Sequence, residues 1–256
     1  MDKKLAFFFI ASLSLFVWIY FHTNTIEIST HKVKLGNSGR KLKIAHITDL
    51  HTKGIGRLET QLLEALASQK PDLIVITGDL ATPSGTVSGY EEVLKHFRAP
   101  KGVYFVQGNW EYWEPIAELK NLFNKWKITD LTNKVKEIDS GLWLIGFDDE
   151  IEGNADEEII KTVPPTSLKI ALFHSPMFFK KLIGKVNLAL AGHSHGGQIR
   201  FPFLKSFWLP EGTGSYDQGW FKEGTSKLFV SRGIGTSILP IRVNCSPEIA
   251  FIEVSY

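Results

Sequence analysis

Two features of the chain predict an α/β fold with a mixed sheet system. Through the first half, short apolar runs that read as strands alternate with amphipathic helical stretches; in the second half such runs follow one another with turns between them. A third feature stands apart from both, an uncharged apolar segment near the N-terminus.

That segment runs from Leu5 to Phe21, 17 residues with no charge and only Ser12 and Ser14 as polar interruptions. At about 1.5 Å rise per residue, its length is near the lower limit for crossing a hydrocarbon core of about 30 Å. It ends in Trp18-Ile19-Tyr20-Phe21-His22, which suits an aromatic interface belt better than a small-residue cleavage site. No polar face runs along it, so it does not read as a core helix. Residues 1–22 are therefore expected to be a single-pass anchor in the cell (inner) membrane, and 23–256 the folded domain. Lys3 and Lys4 before the segment are balanced by Lys32, Lys34, Arg40 and Lys41 after it, so charge assigns no side.

Ile26 to Thr30 and Val33 to Leu35 alternate as strands, and Gly36 to Gly39 turns the chain. Leu42 to Thr48 reads as a buried strand, followed by a helix with Leu58, Leu62, Leu63 and Leu66 at helical spacing. The unit repeats with a strand at Leu73 to Thr77 and a helix at Tyr90 to Phe97, then a strand at Val103 to Val106 and a helix at Glu114 to Trp126. Later strands are expected at Leu142 to Phe147, Leu168 to Phe173, Val186 to Ala191, Lys227 to Val230 and Ile249 to Val254. Pro164-Pro165 and the Gly/Pro-rich stretch from Gly192 to Gly235 read as loops.

Composition narrows the chemistry. With 29 Lys+Arg against 27 Asp+Glu the net charge is +2, which gives no electrostatic footprint for nucleic acid. Cys245 is the sole cysteine, which excludes an internal disulfide and a cysteine-rich zinc site, so a metal would be held by His, Asp, Glu or Asn.

Such residues stand where the strands stop. Ile44 to Thr48 runs into Asp49-Leu50-His51, Leu73 to Thr77 into Gly78-Asp79, and Val103 to Gln107 into Gly108-Asn109. Leu168 to Phe173 ends at His174, and Val186 to Ala191 at Gly192-His193-Ser194-His195. In sheets built of strand-helix units, ligand groups collect beyond the carboxyl ends of the strands, so these five loops are expected on one rim. Each piece alone is ordinary turn chemistry; five successive strand ends finishing in N or O donors are not. Asp49, His51, Asp79, Asn109, His174, His193 and His195 exceed what one tetrahedral zinc needs, which implies two divalent ions. A carboxylate such as Asp79 bridging a pair roughly 3.5–4 Å apart suits in-line attack on phosphorus. Mn, Fe and Zn all accept such a donor set.

In their order, Asp49-Leu50-His51, Gly78-Asp79, Gly108-Asn109-Trp110-Glu111, His174 and Gly192-His193-Ser194-His195 resemble the calcineurin-like metallophosphoesterase family. Gly196-Gly197-Gln198, Ser231 to Gly235 and Leu239 to Arg242 resemble its membrane-associated bacterial branch, so the likeness spans about residues 26–256. The resemblance implies a four-layer αββα sandwich of two mixed sheets. It also implies Asp49, His51, Asp79 and His195 on one ion, and Asp79, Asn109, His174 and His193 on the other.

The departure is Trp110, where the family usually has a histidine taken to orient phosphate or to protonate the leaving oxygen. An indole cannot deliver a proton at neutral pH. The expected substrate is therefore a phosphoanhydride, whose leaving group needs no acid, and with the N-terminal anchor it is expected to be lipid-linked. In this respect the chain is similar to the membrane-associated relatives that cleave UDP-diacylglucosamine in lipid A synthesis, which implies a substrate of that kind. Glu111, His46 or Asp148 are the other candidate proton donors, and a packed strand histidine is the plainer reading of His46. Arg200 and Arg232, with Arg242 nearby, are candidate phosphate-binding residues. Phe201-Pro202-Phe203-Leu204 and Phe207-Trp208-Leu209-Pro210 read either as a membrane-facing mouth or as a loop over the core. The competing readings are a broad phosphodiesterase or phosphomonoesterase, and a non-catalytic metal-binding module of the same fold. No obligate protein partner is inferred.

Overall fold

The computed structural model describes residues 3–113, 116–204 and 206–256. In chain order it contains α1 (Lys3–Thr23), β1 (Glu27–Lys34), β2 (Lys41–Ile47), α2 (Arg57–Gln69), β3 (Leu73–Thr77), α3 (Val87–Leu94), β4 (Val103–Val106), α4 (Ile116–Trp126) and β5 (Ile128–Asp130). These are followed by β6 (Lys134–Asp139), β7 (Leu142–Gly146), β8 (Leu168–Leu172), α5 (Phe179–Leu182), β9 (Leu188–Ala191), β10 (Gly219–Glu223), β11 (Ser226–Val230) and β12 (Glu248–Ser255), with short 3₁₀ turns between.

Among the described residues the strands form two six-stranded sheets, β1-β12-β2-β3-β4-β5 and β10-β11-β9-β8-β7-β6. Both are mixed. β2 to β5 run parallel and β12 is antiparallel to β2; β7, β8, β9 and β11 run parallel, with antiparallel β6 and β10 at the edges.

The pleat of each strand sends alternate residues to opposite layers. Leu42, Ile44, Leu73, Val75, Ile252 and Val254 meet Leu144, Ile170, Leu172, Leu188 and Leu190 between the sheets. Ala45, Ile47, Ile74, Ile76, Phe105 and Phe251 face outward onto Leu62, Leu66, Val93, Leu94, Leu119 and Phe123 of α2, α3 and α4. On the far side Ala171, Phe173, Ala189 and Val230 pack on Phe178, Phe179, Leu182 and Tyr216. The four layers are thus present, but the outer layer on the second sheet consists of α5 and 3₁₀ turns rather than long helices.

Several boundaries differ from those expected. Residues 27–34 form one continuous strand rather than two. α3 starts three residues before Tyr90, because Thr86 Oγ1 accepts the Gly89 N–H at 3.1 Å and caps it there. Glu114 and Pro115, the expected start of α4, lie outside the described residues. The stretch read as loop from Gly192 to Gly235 contains a hairpin, β10 and β11, turned at Gly224 with φ +57°.

α1 is long and apolar enough to cross a membrane by length and composition, and none of its apolar window is buried against the rest of the chain. Its last turn is tied down: Thr23 Oγ1 accepts the Arg242 N–H at 2.9 Å, and His22 Nδ1 lies 2.8 Å from Ser246 Oγ.

Candidate metal centre

β2, β3, β4, β8 and β9 all end on one rim of the two facing sheets, and the seven predicted donors meet there. Asp49, His51 and His195 bring their ligand atoms within 4.8 Å of one another, as do Asp79, His174 and His193. Asp79 Oδ2 lies 3.2 Å from His174 Nε2 and 3.7 Å from His51 Nε2, so this one oxygen faces both groups. Asn109 Oδ1 completes the second group at 3.1 Å from His174 Nε2.

The backbone is bent to achieve this. Asp49, His51, Asp79, His193 and His195 all have φ between +45° and +67°. That region costs a non-glycine residue of order 1–3 kcal/mol and persists where surrounding structure imposes it. Glycines allow the strand ends to approach: a Cβ on Gly108 would lie 2.4 Å from Asp79 Oδ1, and one on Gly192 would lie 1.9 Å from Thr48 Oγ1.

The donor atoms are oriented by partners on their far sides. His174 Nδ1 donates to the Thr77 carbonyl at 2.8 Å, leaving Nε2 with a lone pair toward the centre. His193 Nε2 is bonded to the Glu211 carbonyl, which turns Nδ1 inward, 3.0 Å from His174 Nε2. Asp49 receives the His193 N–H at 2.9 Å.

The residues fit a pair of cations. Both aspartates are buried, and their only ion-pair partners among the described residues are imidazoles. Burial disfavours the Asp79 carboxylate, yet His174 and the other imidazoles outweigh it and hold its pKa far below the usual range. His174 is also opposed by burial and is raised well above its ordinary value by Asp79.

Glu111 was a candidate proton donor, but the structure gives it another task. Its fully buried carboxylate accepts the N–H of Asp79 at 2.9 Å, of Leu80 at 2.8 Å and of Gly108 at 2.8 Å, clamping two donor loops together. His46 is a packed strand histidine, with Nε2 2.8 Å from Thr77 Oγ1 and Phe229 beside it; burial lowers its pKa to about 4. Asp148 accepts the Tyr112 hydroxyl at 2.7 Å.

The arginines are likewise engaged. Arg200 bonds Asp217 at 2.8 Å, and Arg232 bonds Glu27 at 3.0 Å and Glu248 at 3.3 Å. Arg242, wholly buried, donates to the carbonyls of Gly235, Arg232, Gly233 and Cys245, with Nη2 3.3 Å from His195 Nδ1. It holds the segment behind His195. No pattern in the sequence marks these supporting roles, because the partners are main-chain carbonyls.

His51 and Trp110 open onto a cleft of about 760 Å³, also lined by Lys53, Glu59, Thr82, Glu92 and residues 235–238. Lys53 makes no ion pair among the described residues, which makes it a cation at the cleft that the sequence reading missed. The indole of Trp110 stands edge-on to His51, while its backbone N–H donates to Asp79 Oδ1 at 3.0 Å. The aromatic loop is not folded over the core: Phe207 is 88% exposed and Phe203 fully so.

Comparison with known proteins agrees with this arrangement. Residues 42–197 match the family model described as calcineurin-like phosphoesterase. The chain is 29% identical over 245 residues to an uncharacterized metallophosphoesterase of Bacillus subtilis, YkuE, covering 90% of this chain and 86% of that one. It is 26% identical over 253 residues to an uncharacterized metallophosphoesterase of Aquifex aeolicus, covering 92% and 95%. A solved structure of the Thermus thermophilus sulfate thiohydrolase SoxB shares the fold, with TM-score 0.52 at 11% identity over 83% of this chain and 56% of that one. The family uses a dinuclear metal centre, and two donor groups meet on one rim where it requires them. The chain belongs to the calcineurin-like phosphoesterase family and is a metal-dependent phosphoesterase.

Proposed function

We propose that this protein is anchored in the membrane by residues 1–22 and cleaves a phosphoanhydride in a lipid-linked substrate, such as a UDP-diacylglucosamine. In this reading Asp49, His51, Asp79 and His195 hold one ion, and Asp79, Asn109, His174 and His193 the other. Bound there, the ions supply Lewis acidity and a water of lowered pKa for attack on phosphorus; Mn, Fe and Zn all suit the donors. The chain's own part is to fix these donors through Thr77, Glu111, Glu211 and Arg242, and to offer Lys53 at the cleft to a second phosphate.

The observation that carries the reading is Trp110. At the mouth of the cleft it presents an indole where an acid histidine would stand, so the leaving group must depart without a proton from that position. General-acid help is typically worth about 10²–10⁴-fold, which an alkoxide needs and a phosphate anion does not.

The test is a turnover panel of the metal-reconstituted full chain with lipid-linked pyrophosphates, alkyl phosphodiesters and nitrophenyl esters, using Asp79→Ala as control. Rates should fall steeply as the leaving-group pKa rises, and lipid pyrophosphates should be turned over. Rates independent of leaving-group pKa, or nitrophenyl turnover without any on lipid pyrophosphates, would overturn the proposal in favour of a broad phosphodiesterase.

A further inference from the structure

Beside the metal-side cleft lies a second cavity of about 390 Å³, lined by Ile199, Phe201, Phe207, Trp208, Ile238 and Leu239. Its chemistry is the opposite of the cleft's, since no charged side chain among the described residues lines it. The Gln198 side chain in its wall is already matched. Gln198 gives its side-chain amide to the Leu239 carbonyl and accepts the Ser237 N–H at 3.0 Å, so its polar ends are consumed within the wall. The remaining surface is apolar and open to water: Phe207 is 88% and Ile238 75% exposed. Monomeric proteins rarely leave such contiguous apolar surface without a ligand, a partner or a membrane to cover it.

Two connections say which. Ile238 lines both cavities, so a ligand can pass from cleft to apolar pocket over a single side chain. The floor of the pocket, Gly197 to Ile199, is separated from His195 by Gly196 alone. The second connection leads to the helix. Val243 N–H donates to the Gln198 carbonyl and Arg200 N–H to the Val243 carbonyl, each at 2.9 Å, while the neighbouring Arg242 N–H is held by Thr23 at the end of α1. The strip that walls the pocket is therefore the strip on which the apolar helix is mounted.

We infer that this pocket is an acyl-chain subsite: it holds one chain of an amphiphilic substrate whose phosphate lies in the cleft, with Ile238 as the divide. The inference rests on the lipid-linked reading above and adds where the lipid part binds. Each methylene buried there is worth roughly fourfold in affinity, by the usual transfer free energy of about 0.8 kcal/mol.

Two measurements on the full chain in nanodiscs test it. In the first, metal-reconstituted wild type is assayed on diacylglycerol pyrophosphates with four- and eight-carbon chains and on bis(4-nitrophenyl) phosphate. The longer chains should raise kcat/KM on the order of tenfold or more. Phe207→Ser and Leu239→Asn should flatten that dependence while keeping nitrophenyl turnover within about twofold. In the second, Asp79→Ala is irradiated with an eight-carbon diacylglycerol pyrophosphate carrying a diazirine at the chain end. Crosslinks should map to residues 199–208 and 238–239.

Turnover with no chain-length dependence, or variants that lose activity equally on both lipids, would overturn the subsite and leave the loop a bilayer contact only. Crosslinks confined to α1 would do the same. If wild type turns over no lipid pyrophosphate, the substrate reading fails and the crosslink alone decides the subsite: labelled pocket residues uphold it, unlabelled ones remove it.

Discussion

The indole of Trp110 meets the imidazole of His51 edge to face, with ring centroids 4.4 Å apart and planes at 66°. A proton donor at that position would stand over the mouth of the cleft, beside a predicted metal ligand. Trp110→His is expected to raise kcat/KM for an alkyl phosphodiester about 10- to 100-fold, toward the ordinary value of general-acid help, with little change for a nitrophenyl ester or an anhydride. Steady-state rates on the three substrates check this; equal gains on all three would show that the indole acts only by bulk.

Asp79 faces both donor groups through Oδ2, whereas Asn109 touches only the second. Asp79→Asn should therefore lower occupancy of both ions and reduce kcat at least about 100-fold. Asn109→Ala should lower occupancy by one ion only. Elemental analysis of the purified variants reads the two stoichiometries, and two retained ions in Asp79→Asn would contradict the shared oxygen.

Buried Arg242 saturates the carbonyls of Arg232, Gly235 and Cys245, which no other side chain among the described residues reaches. In Arg242→Met these groups lose their donor in a site closed to water, at a cost of about 3 kcal/mol or more. At about 2–4 °C per kcal/mol for a domain of this size, Tm should fall by roughly 10 °C. A drop below about 2 °C in thermal unfolding would mean that water replaces the guanidinium without loss.

His46 gives a pH signature. Burial lowers its pKa to about 4 from an ordinary 6.5, so as pH falls below 6.5 the unfolded chain takes up a proton that the folded chain refuses. Stability is lost progressively from pH 6.5 down to about 4, by about 3 kcal/mol in all. Urea unfolding of chelator-treated protein should lose about 3 kcal/mol more over this pH range in wild type than in His46→Gln; parallel pH slopes would refute the assignment.

The seven donors were legible because each follows an apolar run that can only be a buried strand, and the end of such a strand is a place as well as a residue. Their supports were not. Glu111 reads as a surface acid after Asn109 and Trp110, and only the packed loops show that its carboxylate gathers four main-chain N–H groups. The strands that escaped notice, β5, β6 and β10, are edges or near-edges of their sheets. Lys134 to Asp139 carries charges at four of six positions and shifts register between Glu137 and Asp139, which dilutes the alternation that betrays an interior strand. Arg200 and Arg232 were read as phosphate ligands from nearness in sequence, and the carboxylates of Asp217, Glu27 and Glu248 are what they meet.

β12 lies between β1 and β2 in the first sheet, so two strands made within the first fifty residues pair with a third that begins at Glu248 and not with each other. During synthesis β1 and β2 emerge with the edges that β12 will fill still open. The sheet that carries Asp49, Asp79 and Asn109 closes only after some two hundred further residues have emerged, so assembly of this rim is a late event.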